Sequence, residues 1–185
     1  MTKKVIHLAF EFEYKRINII MKTAQKYFDL LSLITNDEEL STFLSKEMME
    51  AENNLQSFFD KHKAAHFTNR GISNADNPDL VLCYLLDKLE EKEFLCELDY
   101  KPDSEELNYA LKLLSKGKIR KDLFSDEDEE DAHGMFELIF DAEDYLEELD
   151  LAIVQFPIES DSHPIALVPL EKLEDAQTLI DELFG

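Results

Sequence analysis

Tryptophan is absent from the 185-residue chain, glycine occurs four times, and cysteine twice. Each shortage removes a class of explanation. Four scattered glycines leave no Gly-rich loop to cradle phosphates, which argues against nucleotide binding. Cys83 and Cys96 lie in apolar runs without ligand-like spacing, the pattern of buried thiols in a reducing compartment rather than of a disulfide framework. No apolar run approaches the roughly 18 residues of a membrane span. The first residues, up to Arg16, carry basic side chains and an apolar patch. Glu11 and Glu13 interrupt that patch and no small-residue cleavage site follows, so a cytoplasmic location without membrane contact is expected.

The largest shortage is local. Between Asp122 and Glu171 there is no Lys or Arg, while the same fifty residues hold seventeen Asp and Glu. The segment before it, Met1 to Lys121, is nearly balanced, with eighteen basic residues against twenty-one acidic ones. Most of the formal net charge of -23 therefore sits in one stretch. Such asymmetry repels itself and draws in cationic partners, but it names no reaction. With only nineteen Lys and Arg in total, the chain is a poor candidate for nucleic acid, whose binding rests on neutralising phosphates.

What is present is a core. The composition is 44% hydrophobic with thirteen Phe and six Tyr, too apolar for a disordered chain. Residues 5–14 alternate Ile6, Leu8, Phe10, Phe12 and Tyr14, as in a strand with one apolar face. Met21 also opens an amphipathic helix in the manner of an initiation site, so residues 1–20 read as an N-terminal extension or an extra strand. Residues 21–185 read as a single acidic domain.

Helical spacing predicts a helix from about Asn18 or Met21 to Ile34, with Ala24, Tyr27, Phe28, Leu31 and Ile34 inward. A second, capped by Thr35-Asn36-Asp37-Glu38, should run to about His62, with Leu40, Phe43, Leu44, Met48, Leu55, Phe58 and Phe59 on its stripe. Further helices are expected over about 77–92, after Pro102 to Lys116-Gly117, over about 132–148, and over 170–183. Strands are expected over 94–100, 151–158 and 163–168, the last two forming a hairpin across Glu159–Ser162. The fold class is α+β, with helices packed on a small, largely antiparallel sheet that includes this C-terminal hairpin.

Candidate chemistry is sparse. Asp126, Asp128, Glu130 and Glu137 match positions 1, 3, 5 and 12 of a calcium loop, but position 6 is Asp131, where the sharp turn needs Gly. Ser160-Asp161-Ser162-His163 holds the residue types of nucleophilic catalysis, yet neighbours in an extended turn diverge and cannot form a nucleophile–base–orienter chain. His62 and His66 have helical metal-ligand spacing without the Glu of a metalloprotease. No catalytic residue, metal or cofactor is therefore assigned. The remaining constellation is acidic: the run Asp126, Glu127, Asp128, Glu129, Glu130 and Asp131, followed by Glu137, Asp141, Asp144 and Glu148 every three or four residues on one helical face. Met135, Phe136, Ile139, Phe140, Tyr145, Leu146 and Leu149 form the expected apolar stripe opposite.

Three stretches carry a resemblance: Asn69-Arg-Gly-Ile-Ser-Asn-Ala-Asp76, Leu95-Cys-Glu-Leu-Asp-Tyr-Lys101 and Ile158-Glu-Ser-Asp-Ser-His-Pro-Ile165. Together the sequence resembles a family of small acidic bacterial proteins of unknown function, some of which travel with antibacterial toxin and immunity genes, over roughly Met21 to Gly185. The resemblance brings no catalytic residues. Taken with the acidic face, it points to a non-enzymatic binder that neutralises or regulates a basic protein such as a toxin; the charge pattern makes the ten acidic residues above the expected surface. The alternative from another class is a hydrolase using paired carboxylates, with or without a divalent metal.

Overall fold

The computed structural model describes residues 20–99, 103–125, 135–158 and 160–185, with side chains of the third stretch from residue 138 onward. The strand expected over 5–14, the choice between strand and extension, and the run Asp126–Asp131 lie outside these residues.

Seven α-helices and three antiparallel strands make up the described fold: α1 (20–35), α2 (Glu38–Asn53), α3 (Leu55–His62), α4 (Leu80–Glu90), β1 (Cys96–Asp99), α5 (Ser104–Leu114), α6 (Met135–Glu147), β2 (Leu151–Gln155), β3 (Ser162–Pro169) and α7 (Leu173–Phe184). The fold is α+β. A short π-helical turn, Lys63–Phe67, follows α3, and a 3₁₀ turn, Leu170–Lys172, precedes α7.

β3 is the central strand, pairing with β1 through Cys96↔Ile165 and with β2 through Gln155↔Ile165. The hairpin expected near the C-terminus is present. β3 is buried without interruption from Pro164 to Val168 because both faces of the sheet are covered. Successive side chains alternate between two cores. Ala152, Val154, Ala166 and Val168 enter a core built with α1, α2, α3, α4 and α7, including Tyr27, Leu31, Phe58, Tyr84 and Ile180. Leu98, Ile153, Ile165 and Leu167 enter a second core with Leu107 and Leu111 of α5 and Leu138, Ile139, Ala142 and Leu146 of α6. Each such large apolar side chain contributes roughly 1.5–3 kcal/mol by leaving water.

Element boundaries moved where side chains found backbone partners. The helix expected to reach His62 divides at Asn54, whose φ of -157° leaves the helix and whose Oδ1 accepts the Ser57 amide at 3.0 Å. At the start of α2 the cap is Asp37, accepting from the Leu40 amide, because Thr35 still belongs to α1. α4 begins after Asp79 rather than at Pro78, since Asn77 Oδ1 takes the Asp79 amide in a turn of its own. It closes with Glu93 at φ 59° while the Phe94 amide returns to the Leu89 carbonyl. β2 stops at Gln155, two residues before Pro157, which has no amide hydrogen to continue a ladder.

Candidate functional site

α6 divides its surface by spacing. Leu138, Ile139, Ala142 and Leu146 face the sheet, and Asp141, Glu143, Asp144 and Glu147 face solvent. Glu148 stands exposed in the turn just past the helix. Of the ten residues expected at a partner surface, Asp141, Asp144 and Glu148 come together on this exposed side. The run Asp126–Asp131 and the Glu137 side chain lie outside the described residues. Among the described residues, no Lys or Arg pairs with Asp141 or Asp144.

One expectation for this helix needs correction. Phe140 and Tyr145 were grouped with the buried stripe, but they are 68% and 48% exposed. At about 100° per residue, Phe140 falls about 150° from the centre of the buried face. Tyr145 falls at its margin, where its ring meets Phe124 edge-on with centroids 6.5 Å apart. The exposed side of α6 is therefore both acidic and aromatic.

A second polar constellation is built quite differently. Arg70, carried by the loop after the π-helical turn, donates from Nε to Asp87 Oδ1 at 2.6 Å and from Nη1 and Nη2 to the two Glu97 oxygens at 3.1 and 2.5 Å. His66 Nδ1 meets the other Asp87 oxygen at 2.9 Å. Ser162 Oγ donates to Glu97 Oε1 at 2.5 Å and lies 2.7 Å from Ser160 Oγ. One guanidinium thus joins the loop to α4 and β1, and Glu97 carries the link to the start of β3. Burial alone would depress the Arg70 pKa, but the bonds to Glu97 and Asp87 outweigh it and raise it. Burial likewise opposes ionisation of Glu97, and hydrogen bonds from Arg70 and Ser162 outweigh it and hold Glu97 below its ordinary value.

Beside this cluster opens a cleft of about 470 Å³, lined in part by Asn69, Asp79, Asp99 and Asp161. Burial, followed by the charge of Glu97, pushes Glu90 up, but Glu90 does not line the cleft.

The other chemical candidates resolve into structural roles. Ser160 bonds Ser162, and Ser162 donates to Glu97, a carboxylate already committed to Arg70. His62 packs against the rings of Phe58 and Tyr84 at 4.4 and 4.5 Å, and His66 belongs to the Arg70 cluster. Desolvation, then the charge of Lys61, lowers the His62 pKa. Among the described residues, no group of three or more His, Cys, Asp or Glu is placed to hold a metal ion. Both cysteines are free, and burial pushes each thiol up to about 11, away from reactivity.

The three stretches that carried the resemblance meet at the cleft: Asn69 and Arg70 from the first, Glu97 and Asp99 from the second, Ser160 to Ser162 from the third. A family model described as a domain of unknown function (DUF6630) matches residues 26–184. The chain belongs to this family. The DUF6630 match takes in both cores, the Arg70 cluster and α6, and leaves residues 1–25 outside it. No curated protein and no solved structure matches the chain.

Sequence reasoning missed the Arg70 cluster. Its members lie far apart in the chain, and the only local signal was the placement of Arg70, Glu97 and Ser162 within the three resembling stretches.

Proposed function

We propose that the protein is a non-enzymatic acidic binder that neutralises or regulates a basic protein, as an immunity protein masks a toxin. The observation that carries this reading is the exposed side of α6, where Asp141 and Asp144 stand without a described cationic partner inside fifty residues free of Lys and Arg. Unpaired surface carboxylates contribute little to folding, but their summed field accelerates encounter with a positive surface. In this reading the protein works in a bacterial cytoplasm, without nucleic acid or membrane as its target. Among the described residues no helix is long and apolar enough to cross a membrane. A metal-free hydrolase of the paired-carboxylate kind would need one cleft carboxyl group held protonated as general acid. Glu97 is instead bound to Arg70 and Ser162 and pushed toward the ionised form, which does not suit the general-acid role.

The test is to recover the partner of the tagged full-length chain at low salt and measure association rates against ionic strength. A basic partner is expected, with an on-rate that falls steeply with salt and falls again in Asp141→Asn/Asp144→Asn/Glu148→Gln. A neutral or acidic partner, or a triple variant that associates as fast as wild type, would reduce the acidic face to a solubilising surface.

A further inference from the structure

We infer that the exposed side of α6 seats an arginine-bearing segment of the basic partner, with the guanidinium on Asp141 and Asp144 and its plane against Phe140 and Tyr145. This rests on the acidic-binder reading and gives it a specific contact. The argument starts from the helix. Taking Phe140 as origin, Asp144 lies about 40° around the axis, Asp141 about 100° and Tyr145 about 140°. Two exposed rings therefore bracket two exposed carboxylates within about 7.5 Å of axial rise.

Charge complementarity selects the occupant. A second copy of the chain would bring the same carboxylates and a further net charge of -23, and nucleic acid or an anionic membrane would also bring like charge. A cationic protein segment is the complement. Among cations, arginine fits best. Its planar guanidinium stacks on aromatic faces, grips carboxylates with two parallel N–H bonds and is weakly hydrated, whereas lysine is a compact, strongly hydrated point charge. The edge-on contact with Phe124 already orients Tyr145, so less side-chain freedom is lost on docking.

The experiment uses the full-length chain and two synthetic peptides, identical except that four Arg in one are four Lys in the other. Affinities are read by fluorescence anisotropy at low and physiological salt. Wild type should bind the Arg peptide about five- to tenfold more tightly. Phe140→Ala/Tyr145→Ala should erase that preference while keeping salt-dependent binding of both peptides. Asp141→Asn/Asp144→Asn should weaken both, with circular dichroism unchanged throughout. Equal affinity of wild type for the two peptides, or an aromatic variant that keeps the preference, overturns the arginine seat and leaves the acidic-binder reading standing. If neither peptide binds, or the Asp variant binds as well as wild type, both ideas fall together.

Discussion

Around Arg70 the partly buried carboxylates Asp87 and Glu97 have a cationic partner, and among the described residues those on α6 do not. Arg70 and Glu97 are each 17% exposed at the side chain, and their three shortest bonds close a network across α4, β1 and β3. Asp141 and Asp144 carry the same chemical group at the surface and have no cationic partner among the described residues. The aromatic residues follow the same division. Phe58 and Tyr84 are buried beside the paired cluster, whereas Phe140 stands in solvent beside the unpaired one. The difference teaches that carboxylates here do two jobs, holding the fold where they are matched and projecting a field where they are not.

The largest expected effect lies on the paired side. Arg70→Ala leaves Asp87 and Glu97 partly buried without their cation and should cost roughly 3 kcal/mol in urea denaturation. A loss no bigger than that of a surface change would break the comparison. Next comes Asn108, buried on α5, whose side chain accepts from the Leu123 and Phe124 amides and donates to the Phe124 carbonyl. Asn108→Ala should cost about 2 kcal/mol by stranding buried backbone groups, read as a lowered denaturation midpoint at constant slope.

A third effect depends on pH. The folded-state pKa of Glu97 lies below its ordinary value of 4.5, so its contribution is complete above 4.5 and is lost as pH falls through the lower folded value. The stability difference between wild type and Glu97→Gln should therefore be constant at neutral pH and shrink in acid. A difference that grows below pH 4.5 would contradict the pairing. The smallest effect belongs to α6: Asp141→Asn/Asp144→Asn/Glu148→Gln should stay within about 0.5 kcal/mol of wild type and lean toward stabilisation as repulsion is relieved. A marked loss in thermal denaturation would mean that these carboxylates are structural after all.

Periodic features were legible in the sequence. The apolar runs Leu151–Ile158 and His163–Val168, the turn residues between them and the Pro169 stop specified the hairpin, whereas the expected stripe placed Ile139 and Leu146 on the inward face of α6 but left out Leu138 and Ala142, which complete it. Local polar chemistry was legible only in part: Asn77, expected as the cap of α4, closes a turn of its own before the helix, and Asn54, placed inside the expected second helix, caps α3 instead. Phe140 was misassigned because hydrophobicity says that a side chain gains from burial, not that a neighbouring element is there to bury it. Arg70, Glu97 and Ser162 were unreadable as a group because only the β1–β3 pairing brings residues so distant into hydrogen-bond range.

That pairing also sets a timetable for the nascent chain. Among the described residues β1 has one strand neighbour, β3, and Cys96 must wait for Ile165, roughly seventy residues downstream. At about 5–20 residues per second of synthesis, the interval lasts on the order of 4–14 seconds. During it β1 lacks its β3 ladder, and Glu97 lacks Ser162. The central strand arrives last of the three and closes both ladders, so the sheet forms as a late, all-or-none event rather than by growth from one side.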